Sequence, residues 1–176
     1  AVDVGDDPGE IDVLCARDGH LLVLEVKSTY LRRSGKDAWM HSTTTLRKAG
    51  QQLHRKVRAV RQLLASDPTF SGSLGVDLAS GMPQIKGWIV DTSIECDHRR
   101  FNEFLKVSLE EVLIALRDDR HLLGDLEELL RARSDELDRT SMTGHGTLYE
   151  GGFSAERFIE VIEKELVWET LEVAET

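Results

Sequence analysis

Two cysteines in 176 residues leave little for sulfur chemistry to do. Cys15 falls in an apolar run and Cys96 near a turn, at neither disulfide nor metal-ligand spacing. That excludes a disulfide scaffold and points to a reducing, cytoplasmic setting. The histidines (His20, His41, His54, His98, His121 and His145) are scattered, which removes the argument for a zinc centre. No apolar run is long enough to span a bilayer and no signal-like segment opens the chain, so no membrane partner is expected. Internal repeats, a phosphate-loop glycine pattern and a Ser-His-Asp arrangement are missing as well. A surplus of base is also lacking. The net charge of −10 argues against a generic nucleic-acid coat.

What is present begins with a hairpin. Gly9-Glu10-Ile11-Asp12-Val13-Leu14 and Leu21-Leu22-Val23-Leu24-Glu25-Val26-Lys27 flank Asp18-Gly19, a strong signal for a two-residue turn. With that turn, Arg17 opposes His20, Asp12 opposes Glu25 and Glu10 opposes Lys27. Opposed residues share a face with Cβ atoms about 4.5–5.5 Å apart, so Asp12, Glu25 and Lys27 converge. Two adjacent carboxylates repel, and a divalent cation between them relieves the cost; hard oxygen ligands suit Mg²⁺, with Mn²⁺ as a substitute. The other face, Ile11, Val13 and Cys15 against Leu22, Leu24 and Val26, is apolar and is expected on a packed core. An ordinary hairpin with solvated charges on its edge is the competing reading.

These residues resemble the PD-(D/E)-x-K nuclease superfamily, whose fold is that of restriction endonucleases. The matching stretch is GEIDVLCARDGHLLVLEVKS, residues 9 to 28, and its G-E-I-D half is similar to Mrr-like, Holliday-junction-resolvase-like and NERD-like variants. The resemblance implies an α/β fold, a restriction-endonuclease-like mixed β-sheet flanked by helices; the apolar spacing beyond residue 119 adds a helical C-terminal extension. It implies that Asp12 and Glu25 hold Mg²⁺ together with the Val26 carbonyl, and that Lys27 positions the attacking water. The implied activity is Mg²⁺-dependent hydrolysis of DNA phosphodiesters, leaving a 5′-phosphate and a 3′-hydroxyl. A catalytically inactive nucleic-acid-binding or assembly module of the same fold is the alternative. Family members usually carry a helix before the first motif strand. Here the chain starts at Ala1 without an initiator Met, and reads as a fragment whose partners include other domains of a parent protein.

Leu46, Ala49, Leu53, Val57, Val60 and Leu64 recur at helical spacing, with Thr44 or Thr45 as the expected cap and Pro68 just beyond the end. Gln52 and Lys56 lie one turn apart on the shoulder of that apolar stripe. Relatives often carry a Gln and a Tyr at this spacing, so Gln52 joins the candidate catalytic set as a contact to metal-bound water or phosphate. A polar shoulder residue on an amphipathic helix is the plainer account. From Lys27 to Ser66 Asp37 is the only acid among many bases. Arg32, Arg33, Lys48, Arg55 and Lys56 are the candidate nucleic-acid contacts, through counterion release. A solvated helix face is the usual reason for such a run. Trp39 and His41 either contact a nucleotide or anchor the segment.

The rest reads as support. Residues 71–83 are expected as loop, Ile85–Val90 and Phe104–Val107 as strands, and Ser108-Leu109-Glu110-Glu111 as the capped start of a helix to about Arg117. Asp91 reads as a turn residue. Helices are expected over Gly124–Asp138 and after Ser154, with a mobile loop over Thr140–Gly152 and a strand or helix over Leu166–Val173. A hydrophobic content of 40% supports one good core. The division is a nuclease-like core over 1–118 and a helical extension over 119–176 packed on it.

Overall fold

The computed structural model describes residues 9–28, 34–118 and 147–169. The chain divides into two compact units, Ala1–Leu109 and Glu110–Thr176. The first unit is α/β, with a five-stranded mixed sheet and helices against it. Its hairpin consists of β1 (Val13–Arg17) and β2 (His20–Lys27). Asp18 and Gly19 both have positive φ, +49° and +71°, the backbone a tight primed turn requires. The register pairs Arg17 with His20 and Val13 with Leu24, as the turn dictates.

A helical stretch follows without a break: α1 (Gly35–Met40), a π-helical segment (His41–Leu46) and α2 (Arg47–Ser66). The expected cap at Thr44 or Thr45 is therefore a correction. The helix starts at Ser34, whose Oγ accepts from the Asp37 amide at 3.2 Å. The intervening hydroxyls turn back onto the helix instead. Thr43 Oγ1 donates to the Trp39 carbonyl at 2.8 Å and Thr44 Oγ1 to the Met40 carbonyl at 2.6 Å. Such bonds compete with the i→i−4 ladder, which explains a widened π turn at Ser42-Thr43-Thr44-Thr45.

Pro68–Ser73 forms α3, capped by Asp67, so the predicted loop begins later, at Leu74. Asp67 Oδ1 accepts from the Thr69 and Phe70 amides, and Pro68 suits the first helical position. Then come β3 (Gln84–Asp91), β4 (Arg100–Phe101) and β5 (Phe104–Ser108). The strand order is β1-β2-β3-β5-β4. β2, β3 and β5 run parallel, while β1 and β4 are antiparallel edges. A parallel β2–β3 pair demands a crossover, and α2 supplies it.

The apolar stripe of α2 (Ala49, Leu53, Val57, Val60 and Leu64) packs on Leu21, Val23 and Ile89. Each leucine, valine or isoleucine among them contributes about 1.5–3 kcal/mol by leaving water. This corrects the expectation for the hairpin faces. The α2-facing side is that of Leu21, Val23 and Glu25, with Leu14 and Ala16 packed against it. On the opposite side Val13, Cys15 and Val26 are exposed, Leu24 is half-buried and Leu22 is buried, while Ile11 is half-buried against the α2 core. The charges misled because they sit only at the far end of a face that is otherwise apolar.

In the second unit, α4 (Leu109–Arg117) begins directly after β5, and α5 (Ala155–Glu163) is capped by Ser154, whose Oγ accepts from the Arg157 amide at 3.1 Å. Tyr149 donates its hydroxyl to the Ala115 carbonyl at 2.6 Å, and burial pushes its phenol pKa upward. The predicted helix over 124–138 lies outside the described residues, as do most of the 140–152 loop and the end of the 166–173 segment. No helix among the described residues is long and apolar enough to cross a membrane.

Candidate functional site

Asp12 precedes β1 by one residue and extends the hairpin register towards Glu25. Its Oδ2 accepts the Val26 amide at 2.7 Å, which ties the carboxylate to the end of β2. In a strand, a residue's N–H and C=O point to the same edge. The Val26 carbonyl therefore faces the same edge as Asp12, past the first paired residue of β1.

Glu25 is buried, at 2% side-chain exposure, because α2 closes over its face of the sheet. Two ammonium groups meet it there. Lys27, two residues along the same strand, donates to Glu25 Oε1 at 2.5 Å. Lys56 comes down from α2 onto Glu25 Oε2 and also lies 3.1 Å from Asp12 Oδ1. Gln52, one turn before Lys56, accepts from Lys27 Nζ at 3.4 Å. The hairpin and the helix thus bring Asp12, Glu25, Lys27, Gln52 and Lys56 to one place. A buried carboxylate is tolerated only when paired, and Glu25 has two cations.

The remaining predicted residues fall elsewhere. Lys48 is exposed on α2 and Arg55 half-buried, while Arg32 and Arg33 lie outside the described residues. Lys56, grouped by its charge with the surface bases, is buried at 4% side-chain exposure. No acid occurs on α2, and Arg47, Lys48, Arg58 and Arg61 are exposed along it. Trp39 is 65% exposed.

Sequence reasoning missed a neighbouring pair. His41 and Asp91 are both buried, with Nε2 2.7 Å from Oδ2. Asp91 also accepts from the Ser93 hydroxyl at 3.1 Å. It is the register partner of Lys27 across β2 and β3, so the pair borders the lysine cluster on the same face. Asp91 ends a buried apolar strand as Lys27 does, and that was the available signal. His41 therefore anchors the π segment to the sheet, the second of its two sequence readings.

Beside it, Lys106 is fully buried and donates to the Ser93 carbonyl and to Asp97. Burial pushes the Asp97 carboxyl up, while Lys106 pulls it back down. On the outer face of β1, partial desolvation raises the Cys15 thiol above its ordinary value, which makes it a poor nucleophile.

Among the described residues, no three His, Cys, Asp or Glu side chains gather as metal ligands. The donors at this site are instead two carboxylates and the edge of β2. They are hard oxygens, and a cation already bridges them, namely the Lys56 ammonium. The donor set therefore fits a hard divalent ion, with water completing its shell. No protein-family model matches this chain, and neither does any curated protein or solved structure.

Proposed function

We propose that the chain is a Mg²⁺-dependent hydrolase of DNA phosphodiester bonds with a restriction-endonuclease-like core. The observation that carries the reading is the meeting of Asp12, Glu25, Lys27 and Gln52 at the end of β2. Packing alone has no use for this trio of charges beneath a helix, and a phosphoryl-transfer site has a use for each. Asp12, Glu25 and the Val26 carbonyl would hold the ion, which supplies an acidified water and charge stabilisation at the phosphoryl group.

The chain's own residues do the rest. Lys27 lies between Glu25 and Gln52, so its ammonium is held at the mouth of the cluster. From there it orients the attacking water and offsets charge on the phosphate. The Gln52 amide keeps Lys27 aimed and offers a further contact to water or phosphate. The acid-free outer face of α2 places Arg47, Lys48, Arg58 and Arg61 along about 20 Å of helix, at 1.5 Å per residue. That length suits successive phosphates of a nucleic-acid backbone.

The test is cleavage of plasmid and oligonucleotide DNA in Mg²⁺ and Mn²⁺ by wild type and by Asp12→Ala and Lys27→Ala variants. Wild-type cleavage that each variant lowers about a hundredfold or more is expected. Wild-type rates in both variants would remove the reading. Binding should also weaken steeply with salt. Each of Arg58→Ala and Arg61→Ala is expected to lower the slope of log K against log salt by about one.

One observation favours the second reading, a metal-free nucleic-acid-binding module. The Lys56 ammonium already bridges the carboxylate pair, and with Lys27 it balances the pair's charge. Salt-sensitive DNA binding with no uptake of Mg²⁺ or Mn²⁺ by calorimetry would select it.

A further inference from the structure

Lys56 is the one member of the cluster whose role the reaction does not require. It comes from a different element from the carboxylates, reaches both of them and is almost wholly buried. With Lys27 it brings the local count to two negative and two positive side chains. A divalent ion added to that balanced set would leave a net double positive charge around a carboxylate that water barely reaches. Such an excess in a poorly solvated place is costly. If Lys56 withdraws first, the ion replaces one cation and the excess is halved. Lysine suits this exchange. Its charge sits at the tip of a flexible four-carbon stem, so the head can leave while the stem stays packed on α2.

We propose that Lys56 is an exchangeable internal cation. It holds Asp12 and Glu25 together in the metal-free protein, must leave before a divalent ion enters, and so sets the metal affinity of the site. The inference rests on the metal-dependent reading above. A merely structural lysine makes the opposite forecast. Removing it would disorder the carboxylates and weaken metal binding.

The experiment is calorimetric titration of the 176-residue chain with Mn²⁺ alone, without nucleic acid, in wild type, Lys56→Met and Lys56→Arg. Methionine keeps the length of the stem and removes the charge. The expected result is at least tenfold tighter binding by Lys56→Met, with Lys56→Arg no tighter than wild type. Equal or weaker binding by a folded Lys56→Met overturns the proposal. If none of the three takes up Mn²⁺, the metal-dependent reading itself fails, and the proposal with it. If Lys56→Met shows no cooperative melt, crystals of the wild type soaked in Mn²⁺ decide the matter. An ion between Asp12 and Glu25 with Lys56 swung away supports the exchange. An ion there with Lys56 still on both carboxylates overturns it.

Discussion

Glu25→Gln is expected to cut DNA cleavage in Mg²⁺ by about a thousandfold, which corresponds to about 4 kcal/mol of barrier. Glu25 is the carboxylate of the cluster that meets both ammonium groups. One oxygen meets Lys27 and the other meets Lys56, and the side chain is 2% exposed. Glutamine keeps the volume and one acceptor oxygen, so the fold should survive, which a cooperative thermal melt near that of wild type would verify. What it loses is the charge. The pair then has one carboxylate against two ammonium groups, and its attraction for a divalent ion falls accordingly. The same variant should lose measurable Mn²⁺ uptake, so activity and metal binding should fall together. Cleavage within tenfold of wild type would dismiss Glu25 as a ligand and with it the core of the functional proposal. Cleavage lost with Mn²⁺ uptake intact would leave the ion in place and move Glu25 to an orienting role.

The largest effect on stability is expected from Gly50→Ala, at about 3 kcal/mol in denaturant unfolding. Alanine normally favours a helix over glycine by about 1 kcal/mol, so propensity alone forecasts stabilisation. The tertiary contact reverses the sign. A Cβ at Gly50 would lie 2.4 Å from the backbone carbonyl oxygen of Phe101 and 2.9 Å from its carbon. Backbone cannot swing aside as a side chain can, so either α2 lifts or the β4–β5 hairpin shifts. Both loosen the packing of Leu53 and Phe104 in the core, and overpacking of this kind costs about 1–3 kcal/mol or more. A stabilised Gly50→Ala protein would mean that α2 does not approach β4 so closely. Because α2 also carries Gln52 and Lys56, any shift should reach the candidate site too.

The hairpin was legible because its determinants are local. Asp18-Gly19 fixes a turn, the turn fixes a register that pairs Val13 with Leu24, and one residue beyond that last pair Asp12 comes level with Glu25 and binds the Val26 amide. The apolar period of α2 was legible for the same reason, and so were β3 and β5. The short strand β4 was not. Its turn to β5 uses Asn102 and Glu103, both at positive φ, and Glu103 gives none of the glycine signal that usually marks such a turn. The start of the helical stretch was misplaced because hydroxyl side chains serve equally as caps and as mid-helix acceptor-seekers. His41 and Asp91 are fifty residues apart, and their pairing depends on where a π turn meets a strand end.

By itself, the sequence determined a hairpin with two carboxylates and a lysine on one face, followed by a basic amphipathic helix. Turn chemistry and periodicity act over a few residues, so they can be read directly. The tertiary structure decided which side of the hairpin α2 would cover. That placed Glu25 under the helix rather than in solvent, and turned Lys56 from a surface base into the cation between Asp12 and Glu25. No local pattern encodes that choice. It depends on which face buries more apolar surface once the whole crossover is in place.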